Sequence, residues 1–469
     1  MFKPSLEETK KIARGYNCVP IYREVYSDSV TPIEVMRRLK KHSKQCFILE
    51  SVEDRVKWGR YTFLGFNPRP ETITEPNRLK EVIEENRSPR MEGLPTFTGG
   101  LVGYFSYEYI TGTEPDLKLN TKDEESFKDF DLMLFDKIIA FDNLRQKILL
   151  IANAKTDNLE ENYKKATADL DEIYRIITVG DAAPIAPLKL LSPFRELFDK
   201  EKYGSMVERA KKYIYEGDIF QVVLSNRLDA DAEGSLFDAY RVLRTINPSP
   251  YMFYFGSDDV EIAGASPETL VKLTGGELLT FPLAGSRPRG KTAEEDLSLE
   301  KELLADEKEL AEHNMLVDLG RNDLGKISEF GSVEVESYMN IVRFSHIMHI
   351  ASTVKGKIRP DKTAIDAINA VLPAGTLSGA PKLRACEIIA ELENNCRGIY
   401  GGALGYIAFT GDMDVCISIR LAYKKNNKVY VRSGAGIVAD SVPEKEYEEC
   451  VNKAKAVLNA LKESEGGVK

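Results

Sequence analysis

The stretch from Val429 to Lys453 most constrains the fold, because it prescribes a strand, a glycine turn and a helix in quick succession. Val429-Tyr430-Val431 reads as a short strand. Gly434-Ala435-Gly436 brings bare backbone N–H groups close to a ligand, since glycine has no Cβ to hold it off. Pro443 suits the first turn of a helix. On that helix Glu446 and Glu449 stand at i, i+3 and share a face, and Lys453 follows Glu449 at i+4. Anion-binding backbone, paired carboxylates and a cation in one segment suit a small anionic substrate held through a hard metal ion. A second pair, Glu309 and Glu312, lies on an acidic helix predicted from Glu294 to Leu319, with Met315, Leu316 and Leu319 as its buried face. Two such pairs suit an octahedral cation that keeps several waters, and magnesium is the expected ion. Each pair taken alone also reads as a solvated helix face.

The chain has 469 residues, enough for two or three domains with ample core. Its formal charge of −10 excludes a general basic footprint for nucleic acid. The six cysteines show no Cys-x-x-Cys spacing, so neither a zinc site nor a disulfide framework is expected, and the default is a reduced, cytoplasmic protein. The N-terminal residues lack the apolar core of a signal peptide. No apolar run approaches the roughly 18 residues of a membrane span, so no membrane partner is expected.

Taken in order, residues 1–40 read as polar helix with short extended pieces. Cys46–Ser51, Trp58–Gly65, Gly99–Phe105, Leu132–Phe135 and Lys147–Ile151 read as strands, and Asn158–Ile177 as an amphipathic helix. The small-residue run with Pro184 and Pro187 marks a linker. The division predicted is a sheet-rich region 1–180, a linker 181–195 and a second region 196–465. In the latter, Tyr203–Tyr215 is helical, Phe220–Leu224 extended, and Asn247–Phe255 a rigid entry into an aromatic strand. Thr280–Gly290 reads as an irregular basic loop, and Pro373–Lys382 as a loop opening a helix. Strands grouped around separate helices, without βαβ alternation, predict an α+β architecture.

Other candidates stand outside the acidic pairs. His349 and His346 lie in a β-like apolar run, where burial tunes a general acid or base, although a buried histidine is more often structural. Arg420 ends an apolar strand and is either exposed or a bidentate clamp for a carboxylate. Glu268, after Pro267 at a strand break, is a candidate proton donor. Arg287 and Arg289 form a local basic patch, which the overall acidity argues against reading as a nucleic-acid surface.

Together, Pro282-Leu283-Ala284-Gly285-Ser286-Arg287-Pro288-Arg289-Gly290, the run Glu312 to Asp323, Pro373 to Lys382 and the C-terminal stretch make the chain resemble the chorismate-utilising enzymes. It is most similar to their anthranilate synthase component I family, over nearly its whole length. The resemblance implies that family's fold: antiparallel sheets packed with helices around a central active-site cleft. It implies an enzyme, a lyase, that binds chorismate with Mg2+, adds ammonia at C2 with loss of the 4-hydroxyl, and eliminates pyruvate to leave anthranilate for tryptophan biosynthesis. By motif, Glu312 and Glu449 stand as metal ligands with Glu309 and Glu446 behind them. Gly285, Ser286, Tyr400, Arg420, Gly434, Ala435, Gly436 and Lys453 stand as chorismate contacts, with Lys453 also counted among the catalytic groups. Glu268 stands as the general acid for the 4-hydroxyl, His349 as the histidine of pyruvate elimination, and Thr376 as an active-site threonine.

Water-adding members of the superfamily carry a lysine where this chain has Gln221, and glutamine is no base, which favours ammonia as nucleophile. Aminodeoxychorismate synthase component I, the alternative, commonly carries a lysine at the position of Ala284. A second alternative, a non-catalytic amino-acid-sensing subunit, is opposed by the intact Glu312, Glu449, His349 and Lys453. Leu49-Glu50-Ser51 and Asn247 to Met252 resemble the two pieces of the family's tryptophan feedback pocket. In that reading Glu50 pairs an ammonium, Ser51 hydrogen-bonds, and Pro250, Tyr251 and Met252 pack an indole. Region 1–180 is then regulatory and 196–465 catalytic. No segment resembles a glutamine amidotransferase, so a separate subunit of that kind is the expected ammonia source, in a heterotetramer of two large and two small subunits.

Overall fold

The computed structural model describes residues 1–51, 59–343 and 347–468. Trp58, the first residue of one predicted strand, and His346 lie outside the described residues. The fold is α+β, built on two large antiparallel sheets. The larger runs, among the described residues, through Cys18–Tyr26, Lys147–Lys155, Lys137–Asp142, Tyr61–Phe66, Cys46–Glu50, Tyr251–Gly256, Glu261–Ser266, Leu421–Lys425, Lys428–Ile437, Gln221–Glu233 and Gly379–Ala380. The second runs through Leu283–Pro288, Ile347–Lys357, Glu277–Thr280, Thr269–Thr274, Met413–Ile417, Ala403–Ala408, Gly100–Phe105 and Phe130–Phe135. Both sheets draw strands from either side of residues 181–195.

The two sheets face each other through an aromatic layer, with Phe47, Phe63 and Phe253 from one and Val102, Tyr104 and Tyr406 from the other. Helices cover the outer faces. Val35, Leu170, Tyr240 and Leu461 seal the larger sheet, and Leu79, Val317 and Ile368 the smaller. Burial on both faces explains this arrangement: a strand between two covered faces must be apolar on both, and Ile138, Ile139, Ala140 and Phe141 are all buried. The resulting continuous apolar surface is the main source of stability.

Three local expectations are corrected. The strand Lys428–Ile437 runs straight through Gly434-Ala435-Gly436, so this stretch is not a turn. It pairs with Gln221–Glu233, with Leu224 opposite Ala435. The glycines serve close approach instead: a Cβ at Gly434 would lie 2.6 Å from the Leu224 carbonyl, and one at Gly436 2.6 Å from Gln221 Nε2. The predicted helix from Glu294 breaks into Ala293–Ala305 and Glu307–Gly325. Asp306 causes the break, because its carboxylate caps the second helix by accepting from the Lys308 and Glu309 amides. The basic loop contains a strand, Leu283–Pro288, bulged at Gly285, where φ is +70°. Arg287 pairs with Glu302 and Asp306, and Arg289 with Asp296, so this charge pins the acidic helices to the sheet. Pro443 does open the last helix, Pro443–Ser464.

Candidate active site

Four segments converge at one end of the two sheets. Glu268 sits in the turn between Glu261–Ser266 and Thr269–Thr274. Its backbone is locked there by the Ile417 amide, which donates to its carbonyl at 3.0 Å, and its side chain accepts from Thr376 Oγ1 at 3.2 Å. Burial pushes this carboxyl up to about 8, against the opposing pull of the Thr376 hydroxyl and the Lys453 charge. A carboxylic acid that keeps its proton at neutral pH is what a leaving hydroxyl requires.

His349 lies opposite Ser286 on the paired strand, and its Nδ1 lies 3.0 Å from the Gly285 carbonyl. A carbonyl only accepts, so Nδ1 carries the proton and Nε2 is the basic nitrogen. Burial holds the imidazole below its usual range, helped by the nearby charges of Arg420 and Lys453. Both effects favour the neutral imidazole. Gly285 is required twice: its φ is left-handed, and a Cβ would stand 3.1 Å from Glu309 Oε2.

The cationic side is built by the last helix and the strand ends. Lys453 Nζ donates to the Gly434 carbonyl at 3.1 Å and pairs with Glu449 at 2.6 Å. Arg420, in the left-handed region at φ +53°, donates to the Lys453 carbonyl at 2.7 Å, which fixes the two cations relative to each other. Tyr400 is buried beside Gly434, its hydroxyl 3.1 Å from where a Cβ would stand.

The acidic pairs do approach one another. Burial raises the proton affinity of Glu312, and the charge of Glu449 on the other helix raises it further. Glu309 feels Glu312 in the same way, and Glu446 feels Glu449. Among the described residues, however, no three such groups stand close enough to form a ready metal cage. A hydrated ion that also takes substrate oxygens fits this donor set better than an all-protein site. Gln221, weighed in the sequence only as a residue that is no base, acts in the opposite sense and lowers the proton affinity of Glu312.

The predicted inhibitor residues form a separate group. Glu50 pairs in register with Met252, and its carboxylate accepts from Arg244 and Tyr240. Ser51 Oγ is buried with no hydrogen-bond partner among the described residues. Tyr251 spans the sheets: its hydroxyl lies 2.8 Å from Thr269 Oγ1 and donates to Asp414 at 2.8 Å.

Sequence reasoning missed two supporting features. One is that Tyr251 link, which ends one residue from Glu268. The other is a buried cluster of Glu393, Arg397 and Arg432 behind the Thr376 loop. Arg397 donates to the carbonyls of Leu377 and Val223 at 2.6 and 2.7 Å. For the cluster the one sequence signal was Arg432, directly after the apolar Val429-Tyr430-Val431; Glu393 and Arg397 sit in a polar run.

Known proteins share this architecture. The model of the chorismate binding enzyme family matches residues 44–459. Anthranilate synthase component 1 of Acetivibrio thermocellus is 46% identical, covering 99% of this chain and 99% of its own. That of Aquifex aeolicus is 43% identical over 98% of each. The crystal structure of anthranilate synthase component I from Streptococcus pneumoniae superposes with a TM-score of 0.75 at 37% identity, over 93% of this chain and 99% of that one. The isochorismate synthase MenF of Escherichia coli shares the fold, with a TM-score of 0.73 at 19% identity. An acid held protonated beside fixed cations, on this fold and with these relatives, places the chain among the chorismate binding enzymes, in the anthranilate synthase component 1 family.

Proposed function

We propose that the chain is the large subunit of a magnesium-dependent, tryptophan-inhibited anthranilate synthase that works in the cytoplasm. It aminates chorismate with ammonia and then eliminates pyruvate. The protonated Glu268 carboxyl, held by Thr376 within reach of the Lys453 charge, carries this reading. Lys453, Arg420 and the Gly434–Gly436 backbone bind the substrate's carboxylates, and Ser286 offers a hydroxyl at the opposite wall. Glu268 gives its proton to the departing 4-hydroxyl. His349, neutral and basic at Nε2, stands ready for a proton in the elimination step. Glu312 and Glu449 would hold Mg2+ with Glu309 and Glu446 behind them, and the bound ion would neutralise a substrate carboxylate.

Ammonia comes from a separate glutamine amidotransferase subunit, in a complex of two large and two small subunits. The component numbering in the relatives' names supports a partner chain. Residues 1–180 contribute Glu50 and Ser51 to the feedback pocket, and 196–465 contribute Pro250, Tyr251 and Met252 to it together with the catalytic residues.

The experiment mixes purified protein with chorismate, ammonium and magnesium and follows anthranilate fluorescence with and without tryptophan. Expected are fluorescence that grows with time, is abolished by EDTA and is suppressed by tryptophan. Chorismate consumed to a product that retains the pyruvate unit would instead establish an aminodeoxychorismate synthase. No consumption would sink the catalytic reading.

The Tyr251 link makes a further expectation specific. Tyr251→Phe keeps the ring that packs an indole but removes the hydroxyl that holds Thr269 and Asp414. Tryptophan should still bind, seen as a rise in Tm, while the concentration for half inhibition rises by about tenfold, the effect of one lost hydrogen bond. Binding and inhibition lost in parallel would show that the hydroxyl serves the pocket and not the coupling.

A further inference from the structure

We propose that a small cleft behind Glu268 is a water-filled path that returns a proton from solvent to this carboxyl after each turnover. The inference rests on the amination chemistry proposed above. The cleft has a volume of about 40 Å³. That is room for roughly two or three waters. Glu268 and Thr376 stand in its wall, with Thr280, Gly320 and Asp323 also lining it. Of the residues assigned to substrate, metal or catalysis, only Glu268 and Thr376 line it. It therefore meets the acid from a side different from Lys453, Arg420 and the Gly434–Gly436 strand. Thr280, Leu319 and Gly320 are half-buried, so the cleft reaches solvent. Asp323 is buried but fixed by Lys382 Nζ at 2.8 Å and Lys326 Nζ at 3.5 Å, which gives waters a constant acceptor.

The chemistry calls for such a path. Ammonia supplies the electron pair for the new C–N bond, and the ring's double bonds shift. The C4–O bond breaks with its pair going to oxygen, and Glu268 adds the proton that makes the leaving group water. Glu268 is left as a carboxylate, and the new amine holds the nitrogen's three protons as an ammonium. Anthranilate's amine keeps only two of these protons; the ammonium releases the third to solvent, and Glu268 takes one back from solvent before the next turnover. With an intermediate seated over the cations, the substrate side of Glu268 is covered until anthranilate leaves.

Gly320 allows the path to be closed without touching Glu268 or Thr376. A Cβ there would stand 3.2 Å from Thr280 Cγ2 and 3.6 Å from Pro282 Cγ. Gly320 is interior to the Glu307–Gly325 helix, where alanine is the better helix former, so Gly320→Ala secures a folded variant alongside the bulkier Gly320→Val. The test is rapid mixing at pH 7 with saturating chorismate, magnesium and ammonium, where the carboxyl begins protonated. For Gly320→Val the first turnover should stay within about twofold of wild type while later turnovers slow by about tenfold, giving a burst of one anthranilate per site. The slow phase should show an increased solvent deuterium isotope effect, and Gly320→Ala a smaller change in the same sense. Later turnovers of Gly320→Val within about twofold of wild type would overturn the inference, as would first and later turnovers slowing equally. A wild type that makes no anthranilate sinks the functional reading itself, whereas an active wild type with an unaffected Gly320→Val sinks only the path.

Discussion

Glu268→Gln is expected to lower kcat by about a hundredfold to ten-thousandfold, the usual contribution of a positioned acid, with little change in the KM for chorismate. The amide keeps the carboxyl's shape and can still accept from Thr376, so geometry survives and only the proton is lost. The pH dependence tests the same group. The acid works only when protonated, and burial raises its carboxyl to about 8. At constant free ammonia, wild-type kcat/KM should hold below that pH and fall as pH rises through it. Glu268→Gln should lack this limb.

Stability should move in the opposite direction. The unfolded chain releases this proton near the ordinary carboxyl value, whereas the folded chain keeps it until about pH 8. Between those values the unfolded state binds fewer protons, so rising pH costs the wild type stability. The neutral glutamine avoids this, and the variant's Tm should exceed that of wild type at pH 8 but match it near pH 4. A variant that is less active and also less stable at pH 8 would show that Glu268 is chiefly a packing residue.

How much of this was readable beforehand depended on whether the signal was local. Pro443 announced the final helix because proline at a helix start is a property of one residue and its neighbours. Glu268, Thr376 and Lys453 were readable because each sits in a short motif, and the structure brings all three together. Partnerships across the chain were readable only through resemblance. Cys46–Glu50 lies beside Tyr251–Gly256 in the larger sheet, some two hundred residues away in sequence, and no periodicity in either strand names the other; the resemblance to a two-piece pocket alone put Glu50 and Met252 together. Glu50 read as the partner of an ammonium, and its engagement by Arg244 and Tyr240 was not legible because they come from a distant helix. Gly434 and Gly436 misled for a different reason. Glycine marks both turns and close approach, and only the neighbouring Gln221–Glu233 strand decides between them.

Removing the Glu393 carboxylate is expected to have the largest effect on stability. It is fully buried and accepts from the Ser225 amide at 2.7 Å, Arg397 Nε at 3.0 Å and Arg432 Nη2 at 3.3 Å. Burial alone would favour its neutral form, but the Arg397 and Arg432 charges outweigh that and hold it ionised. Glu393→Ala would leave two guanidinium groups buried without a counter-charge, a loss of about 3–5 kcal/mol. Urea denaturation should show it as a lower midpoint, and a change below about 1 kcal/mol would mean that water or movement relieves the exposed charges. Replacing Glu393, Arg397 and Arg432 together with methionine separates two roles for the cluster. Buried ion networks exchanged for well-packed apolar groups often keep their stability. Arg397 also donates to the Leu377 and Val223 carbonyls, and so ties the loop bearing Thr376 to the Gln221–Glu233 strand. The triple variant should therefore recover much of the stability lost in Glu393→Ala while kcat stays low, because Thr376 no longer holds Glu268 in place. Recovery of both would reduce the cluster to a structural role.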